Sequence, residues 1–371
     1  MPDRLWPALE LLAQLQPNVR LDARTNILLG SVLGVLLVAY FVGWALRRQP
    51  ESTANPAVVR TFNNRVRAWL LMYAILIAGL VLGYVATVVL FGLISFWALR
   101  EFITMTPTRR GDHRTLFFTF LFAPVQFILV GMGGQYYGLY SIMIPVYASL
   151  LIPTGIAISG DPKRFLERVA KIQAGLLICV YCLSHAPAIL NLPLTTGPSG
   201  QPWVIGTAPA PPAPGTTLAE TVAPPTSGAP PRQVYGSNAS VLFFFVLIVQ
   251  LNDVFQYLWS QLLGKRVIAP LINASRTWEG LIGGVLSTIL VGLLLSSATP
   301  FSYWAGPIAG IVGLAGFAGS MTMSGIKRDR GVKDYGTLVS GHAGVLDRID
   351  SLCFAAPVFF HITRYFFSAA P

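Results

Sequence analysis

The sequence predicts an all-α fold: a polytopic integral membrane protein with about ten transmembrane helices. Three observations carry that expectation. Of the 371 residues, 54% are hydrophobic and only 11% charged, with a mean hydropathy of +0.61, whereas soluble domains carry roughly 25% charged residues. Apolar runs of about twenty residues, the length that crosses a bilayer core, recur along the chain. Lysine and arginine fall in alternate loops, the charge bias of a multi-pass protein. The same bias accounts for the net charge of +11. No basic run is interleaved with aromatics, so no nucleic-acid partner is expected.

Residues 1–25 form an N-terminal segment with leucines at helical spacing between Leu5 and Leu15, suited to an interfacial helix. It lacks the apolar core and small-residue cleavage site of a signal peptide, so the first span is expected to direct insertion. An N-terminal transmembrane region, 26–192, opens with a span at 26–46. The next run, 68–103, is too long for one crossing. Arg47, Arg48, Arg60, Arg65 and Arg67 precede it and Arg109, Arg110 and Arg114 follow it. Both flanks therefore belong on the same inner side, which requires an even number of spans and predicts a helical hairpin breaking near Gly83. Further spans are expected at 114–131, 136–157 and 170–190. Residues 193–237 form a Pro/Ala/Gly-rich extracytoplasmic loop with APAPPAPG and APPTSGAPP runs, expected to be disordered or polyproline-like. It reads as a passive insertion or a partner-binding tether. The C-terminal region, 238–371, holds spans at 238–262, 279–298, 303–323 and 351–367. Loops 161–171, 264–278 and 324–350 then lie inside, 133–135, 191–237 and 299–302 outside, with both termini outside and Arg232 as the main exception.

The three cysteines supply no disulfide framework. Cys179 and Cys182 are three apart in an apolar helix without a second pair, which argues against zinc or redox chemistry, and Cys353 reads as packing.

One polar island stands out, 324–350. Lys327, Arg328, Arg330, Lys333 and Arg348 offer cationic donors, and Asp334, Asp347 and Asp350 offer oxygen ligands. Magnesium takes one or two carboxylates plus substrate phosphates, and Lys or Arg clamps neutralise the remaining charge. The combination suits phosphoryl or nucleotidyl transfer. Asp347 and Asp350, three apart, share a face of a helix beginning near Val345, whose N-terminus favours carboxylates and phosphates. Gly336, Gly341 and Gly344 allow close approach to a ligand. His342 could orient a carboxylate or transfer a proton. A solvated cytoplasmic face is the plain alternative. Upstream, Asn252 and Asp253 interrupt an apolar span, where an acidic residue is a functional candidate by default or else a helix contact. Lys265, Arg266, Ser275, Arg276, Thr277, Trp278 and Glu279 follow, with Thr277 a plausible N-cap and Glu279 in the first helical turn.

The patterns Ser324-x-x-Lys327-Arg328, Lys333-Asp334-x-Gly336, Gly341-His342-x-Gly344 and Asp347-Arg348-x-Asp350-Ser351 resemble the signature of phosphatidate cytidylyltransferases, also called CDP-diacylglycerol synthases. Leu251-Asn252-Asp253, Gly264-Lys265 and Ser275-x-Thr277-Trp278-Glu279-Gly280 are similar to that family's other recurrent segment, and Arg100-Glu101-Phe102 matches it loosely. Val339, Ser340 and Ala343 depart from the family pattern, and Ser320 stands where many members have an Asp implicated in metal binding.

The resemblance implies transfer of CMP from CTP to phosphatidic acid, giving CDP-diacylglycerol and pyrophosphate, with Mg2+ as cofactor. It makes Lys327, Arg328, Lys333, Asp334, His342, Asp347, Arg348 and Asp350 candidate catalytic residues. Asp334, Asp347 and Asp350 are the candidate metal ligands. Asn252, Asp253, Lys265, Ser275, Thr277, Trp278, Glu279 and Ser324 are candidate substrate-binding residues. The expected setting is a cell membrane, that of a bacterial inner membrane, with the site on the cytoplasmic side and a homodimer left open. Rival readings are CTP-dependent transfer to another lipid or polyprenol, a transporter using Asp253, and an inactive paralogue resting on Ser320.

Overall fold

A computed structural model describes residues 23–48, 56–105, 109–196, 201–202, 204–208, 232–235, 238–332 and 344–368. Its helices are α1 (Ala23–Leu46), α2 (Pro56–Leu82), α3 (Tyr84–Met105), α4 (His113–Gly131), α5 (Gly134–Ile158), α6 (Phe165–Asn191), α7 (Asn238–Leu263), α8 (Trp278–Leu294), α9 (Ala305–Asp329) and α10 (Leu346–Phe367). The protein is thus the helical, multi-pass membrane protein its composition calls for. Each expected span falls on one of these helices. Among the described residues, seven helices rather than ten are both long and apolar enough to cross a membrane. The other three have physical reasons: α8 and the apolar part of α2, Trp69–Leu82, are short, and α10 carries Asp347, Arg348, Asp350 and Arg364.

The hairpin forms where the sequence places it. Gly83 breaks the chain between α2 and α3 at φ +103°, a conformation that a side chain would strain. Between the later helices, packing depends on small residues, because lipid tails are as apolar as the side chains and association rests on close contact. At Gly284 of α8 an added Cβ would stand 2.4 Å from Gln256 Cγ on α7. The core between α7 and α10 is aromatic, with Phe245 stacked on Phe359 at 5.0 Å and Phe301 edge-on to Phe367 at 4.9 Å.

Parts of the 193–237 loop are ordered as short antiparallel pairs rather than as polyproline: β1 (Thr195–Thr196) with β2 (Gln201–Pro202), and β3 (Val204–Ala208) with β4 (Arg232–Tyr235). Val204, Ile205, Val234 and Tyr235 supply the β-branched and aromatic residues that suit strands, and the proline-richest stretch, 209–231, lies outside the described residues. At the opposite end of the bundle a third hairpin, β5 (Val267–Ala269) and β6 (Asn273–Thr277), joins α7 to α8. That end also carries an ionic clamp. Arg168 of α6 binds Asp112, which precedes α4, through Nε at 2.9 Å and through Nη2, and it reaches the Asp161 carbonyl at 2.7 Å, while Asp161 pairs with Arg109.

Candidate active site

The site is built from the β5–β6 hairpin inward. Thr277 is extended, and its Oγ1 accepts from the Gly280 N–H at 3.0 Å, the expected N-cap of α8. A side chain at position 280 would put Cβ 2.8 Å from the Gln256 carbonyl oxygen, backbone that cannot rotate away, so glycine fits there without a shift of α7. Glu279 accepts from the Lys265 and Arg266 N–H groups, both at 3.2 Å, pinning the start of the hairpin to the helix. Within β6, Asn273 Oδ1 accepts from the Ser275 N–H and Oγ. The Asn273 amide donates to Ser324 Oγ at 3.2 Å, and Arg328 Nε donates to the Ile272 carbonyl at 3.1 Å. These bonds fasten the hairpin to the end of α9 and aim Arg276 inward.

Arg276 is the hub of a polar cluster. Its Nη1 donates to Gln256 Oε1 at 2.7 Å, and its Nη2 donates to Asp253 Oδ1 and Ser320 Oγ, each at 2.9 Å. The other Asp253 oxygen accepts from Ser351 Oγ at 2.6 Å, and that hydroxyl lies 3.4 Å from Asp350 Oδ1. Helices α7, α9 and α10 and strand β6 therefore meet at one point. One carboxylate, Asp253, pairs with the guanidinium and a second, Asp350, joins it through Ser351; Asp253 is 27% exposed. Gln256 Nε2 is buried and, among the described residues, has no hydrogen-bond partner. Beside this cluster, Lys327 at the end of α9 pairs with Asp347 in the first turn of α10 at 2.8 Å. The start of α10 is held from a distance: Glu101 of α3 accepts from the Val345 and Leu346 N–H groups at 3.1 and 2.9 Å.

Of the residues singled out in the sequence, the structure brings Asp253, Asp350, Lys327, Asp347 and Ser324 to this end of the bundle. Arg348 is in the same turn of α10, and its carbonyl accepts from Gln250 at 3.4 Å. Asn252 is placed elsewhere. It is fully buried in a helix crossing, donating to the Gly313 carbonyl at 2.9 Å and accepting from Thr288 at 3.2 Å. Thr277, Glu279, Lys265 and Ser275 act in the turn geometry above, and Trp278 is 51% exposed at the head of α8. Lys333, Asp334 and His342 lie outside the described residues. Gln256 escaped the sequence reading, because it looks like an ordinary polar helix residue. Ser351 and Glu101 stood there only within the patterns that carry the resemblance, and Arg276 only as one basic residue among several in the upstream cluster.

The donor set suits magnesium. Asp253 and Asp350 converge on one hydroxyl, the donor atoms they would offer are oxygens, and Mg2+ asks for one or two carboxylates when phosphates supply the rest. Among the described residues there is no group of three or more His, Cys, Asp or Glu able to hold a metal alone. Cavities of about 270 Å3, by Tyr84, Tyr140 and Arg364 at the far end of α10, and about 310 Å3, between α5 and α6, lie apart from the cluster. Outside the spans, the Arg109 guanidinium beside Asp161 holds that carboxyl below its ordinary value.

Fold and cluster together define a polytopic helical membrane protein with a charged site of carboxylates and basic residues at one end of the bundle. The cytidylyltransferase family model matches residues 63–366, and the chain belongs to that family, whose reaction is CTP-dependent nucleotidyl transfer. The uncharacterized protein YnbB of Escherichia coli (strain K12) is 32% identical over 343 residues, covering 91% of this chain and 97% of YnbB. A phosphatidate cytidylyltransferase of Staphylococcus epidermidis is 40% identical over 121 residues, 32% of this chain and 46% of that protein. One from Staphylococcus aureus (strain COL) is 38% identical over the same length and shares. The match thus spans less than half of those two enzymes.

Proposed function

We propose that the protein transfers CMP from CTP to phosphatidic acid, giving CDP-diacylglycerol and pyrophosphate for phospholipid synthesis, at the cytoplasmic face of a bacterial inner membrane. The observation that carries the reading is the convergence of Asp253, Arg276, Ser320 and Asp350 at the bundle end that bears the basic loops. A transporter would instead need polar residues along several spans. A site at the membrane surface lets a soluble nucleotide meet an acceptor held in the bilayer.

In this reaction a phosphate oxygen of the lipid attacks the α-phosphorus of CTP and forms the new P–O bond. The bond from the α-phosphorus to the bridging oxygen breaks, and pyrophosphate leaves with its electron pair. The acceptor oxygen is already ionised, so the protein's work is positioning and charge neutralisation. Arg276, held by three neighbours, presents a fixed guanidinium to phosphate, and Lys327 and Arg328 extend the positive edge along α9. Asp350 and Asp253 are the best-placed groups to hold Mg2+. Asp347 is engaged by Lys327, and Asp334 is a further candidate ligand. When bound, the cation would neutralise triphosphate charge.

The test supplies the full-length protein in detergent with CTP labelled in the α-phosphate, Mg2+ and either phosphatidic acid or a polyprenyl phosphate. Label passing into the organic phase with phosphatidic acid, and lost in Asp350→Asn, is the expected result. Label appearing with polyprenyl phosphate alone, or with neither acceptor, would refute the assignment.

A further inference from the structure

We propose that Glu101 is a positioning residue for the site: reaching across from the N-terminal half, it sets the first turn of α10 and so the placement of Asp347 and Asp350. The role of that turn in turnover rests on the proposed function, whereas the grip on the turn does not.

A helix leaves its first N–H groups without intrahelical partners, and a nearby Ser, Thr, Asp or Asn usually takes one of them. Here the position before α10 is Val345, which has no side-chain oxygen, and Gly344 and Ala343 precede it. The vacant role is filled by a residue 244 positions away. Glu101 Oε1 accepts from the Val345 N–H at 3.1 Å and Oε2 from the Leu346 N–H at 2.9 Å. Trp97, one turn earlier on α3, donates its indole N–H to Oε1 at 3.1 Å, fixing the carboxylate's orientation. Glu101 is only 6% exposed, so these bonds are shielded from water, and its negative charge suits the positive end of the helix dipole. Two bonds from one carboxylate to successive amides fix both the rotation and the depth of the turn. Asp347 follows one residue later and Asp350 one turn later. Small displacements of groups that orient a reacting phosphate are costly to turnover. The same grip means that the Val345 and Leu346 amides are already occupied by this carboxylate and are not offered to a phosphate.

The test compares wild type with Glu101→Gln and Glu101→Asp as full-length proteins in detergent, reading amide hydrogen exchange over 344–350 without substrate, then kcat and KM for CTP and lipid. Glutamine opposes one amide with its own NH2 group. It should speed exchange in this turn, leave the rest of α10 protected, and lower kcat about tenfold, equivalent to one weakened charged hydrogen bond, with the lipid KM within about twofold. Aspartate keeps both oxygens and should restore part of kcat. Unchanged exchange in Glu101→Gln, or faster exchange with wild-type kcat, overturns the proposal. A decline in kcat that only follows the fraction of folded protein does so too. Because exchange is read without substrate, a wild type that fails to label phosphatidic acid would sink the acceptor assignment and leave the Glu101 contact still decided.

Discussion

Two ionic clusters stand at the same end of the bundle, and their difference teaches which of them suits the proposed chemistry. In the clamp of α4 and α6, two arginines, Arg109 and Arg168, answer two carboxylates, Asp112 and Asp161. Its centre is closed, with Arg168 6% and Asp112 1% exposed. In the cluster of α7, β6, α9 and α10, Arg276 pairs with Asp253 and Lys327 with Asp347, while Asp350, joined to Asp253 through Ser351, has no ion pair among the described residues; Asp253 stays open to solvent, and among the described residues the buried Gln256 amide donor has no partner. A balanced, closed set can only hold the fold together. Unbalanced, open carboxylates can accept a cation and, through it, phosphates.

The largest expected effect is on the clamp. Asp112→Ala takes the buried carboxylate from Arg168, leaving it only the looser pair with Asp161 at 3.8 Å, and should cost about 3 kcal/mol of stability, read by thermal unfolding in detergent, while turnover per folded molecule stays within about twofold. Lost turnover with an unchanged melt would reverse the comparison. Next, Asp350→Asn should lower turnover about a hundredfold, the scale for removing a group that stabilises reacting charge. It should leave the melting temperature equal or higher, because a like-charge contact with Asp253 disappears. Thr277→Ala removes the α8 cap and should cost about 1 kcal/mol, with the hairpin, and hence Arg276, exchanging faster. The smallest effect is that of acid on Asp161. Its carboxyl is held below the ordinary 3.8 by Arg109. It therefore contributes stability that is present above that ordinary value and is lost as pH falls through its lowered value. Asp161→Asn should flatten the melting profile in that window, and an identical slope in wild type and variant would remove the pair from the account.

Much of the architecture was legible because hydrocarbon allows few solutions: span positions, the break at Gly83 and the cap at Thr277 follow from composition, loop charge and local turn chemistry. The β5–β6 hairpin was not. Its strands are short, and the pairing is stabilised by contacts to α8 and α9 that no local pattern announces. Asp253 was readable as a carboxylate in an apolar span, yet Asn252 beside it serves a helix crossing, since adjacent residues on a helix face different neighbours. Arg276 and Glu101 act through partners far apart in sequence, so only the folded chain displays their roles. Ser320 is the clearest gain. As a bare departure from the family pattern it cast doubt on the metal site, but in the structure it is one of the three groups that hold Arg276.

The most direct measurement of the central claim places wild type, Asp350→Asn and Asp112→Asn side by side, equalised for folded protein, and follows label from the α-phosphate of CTP into phosphatidic acid. The unbalanced cluster should prove indispensable, with Asp350→Asn reduced about a hundredfold, and the clamp dispensable, with Asp112→Asn near wild type. Equal losses in both variants, or full transfer by Asp350→Asn, would contradict it.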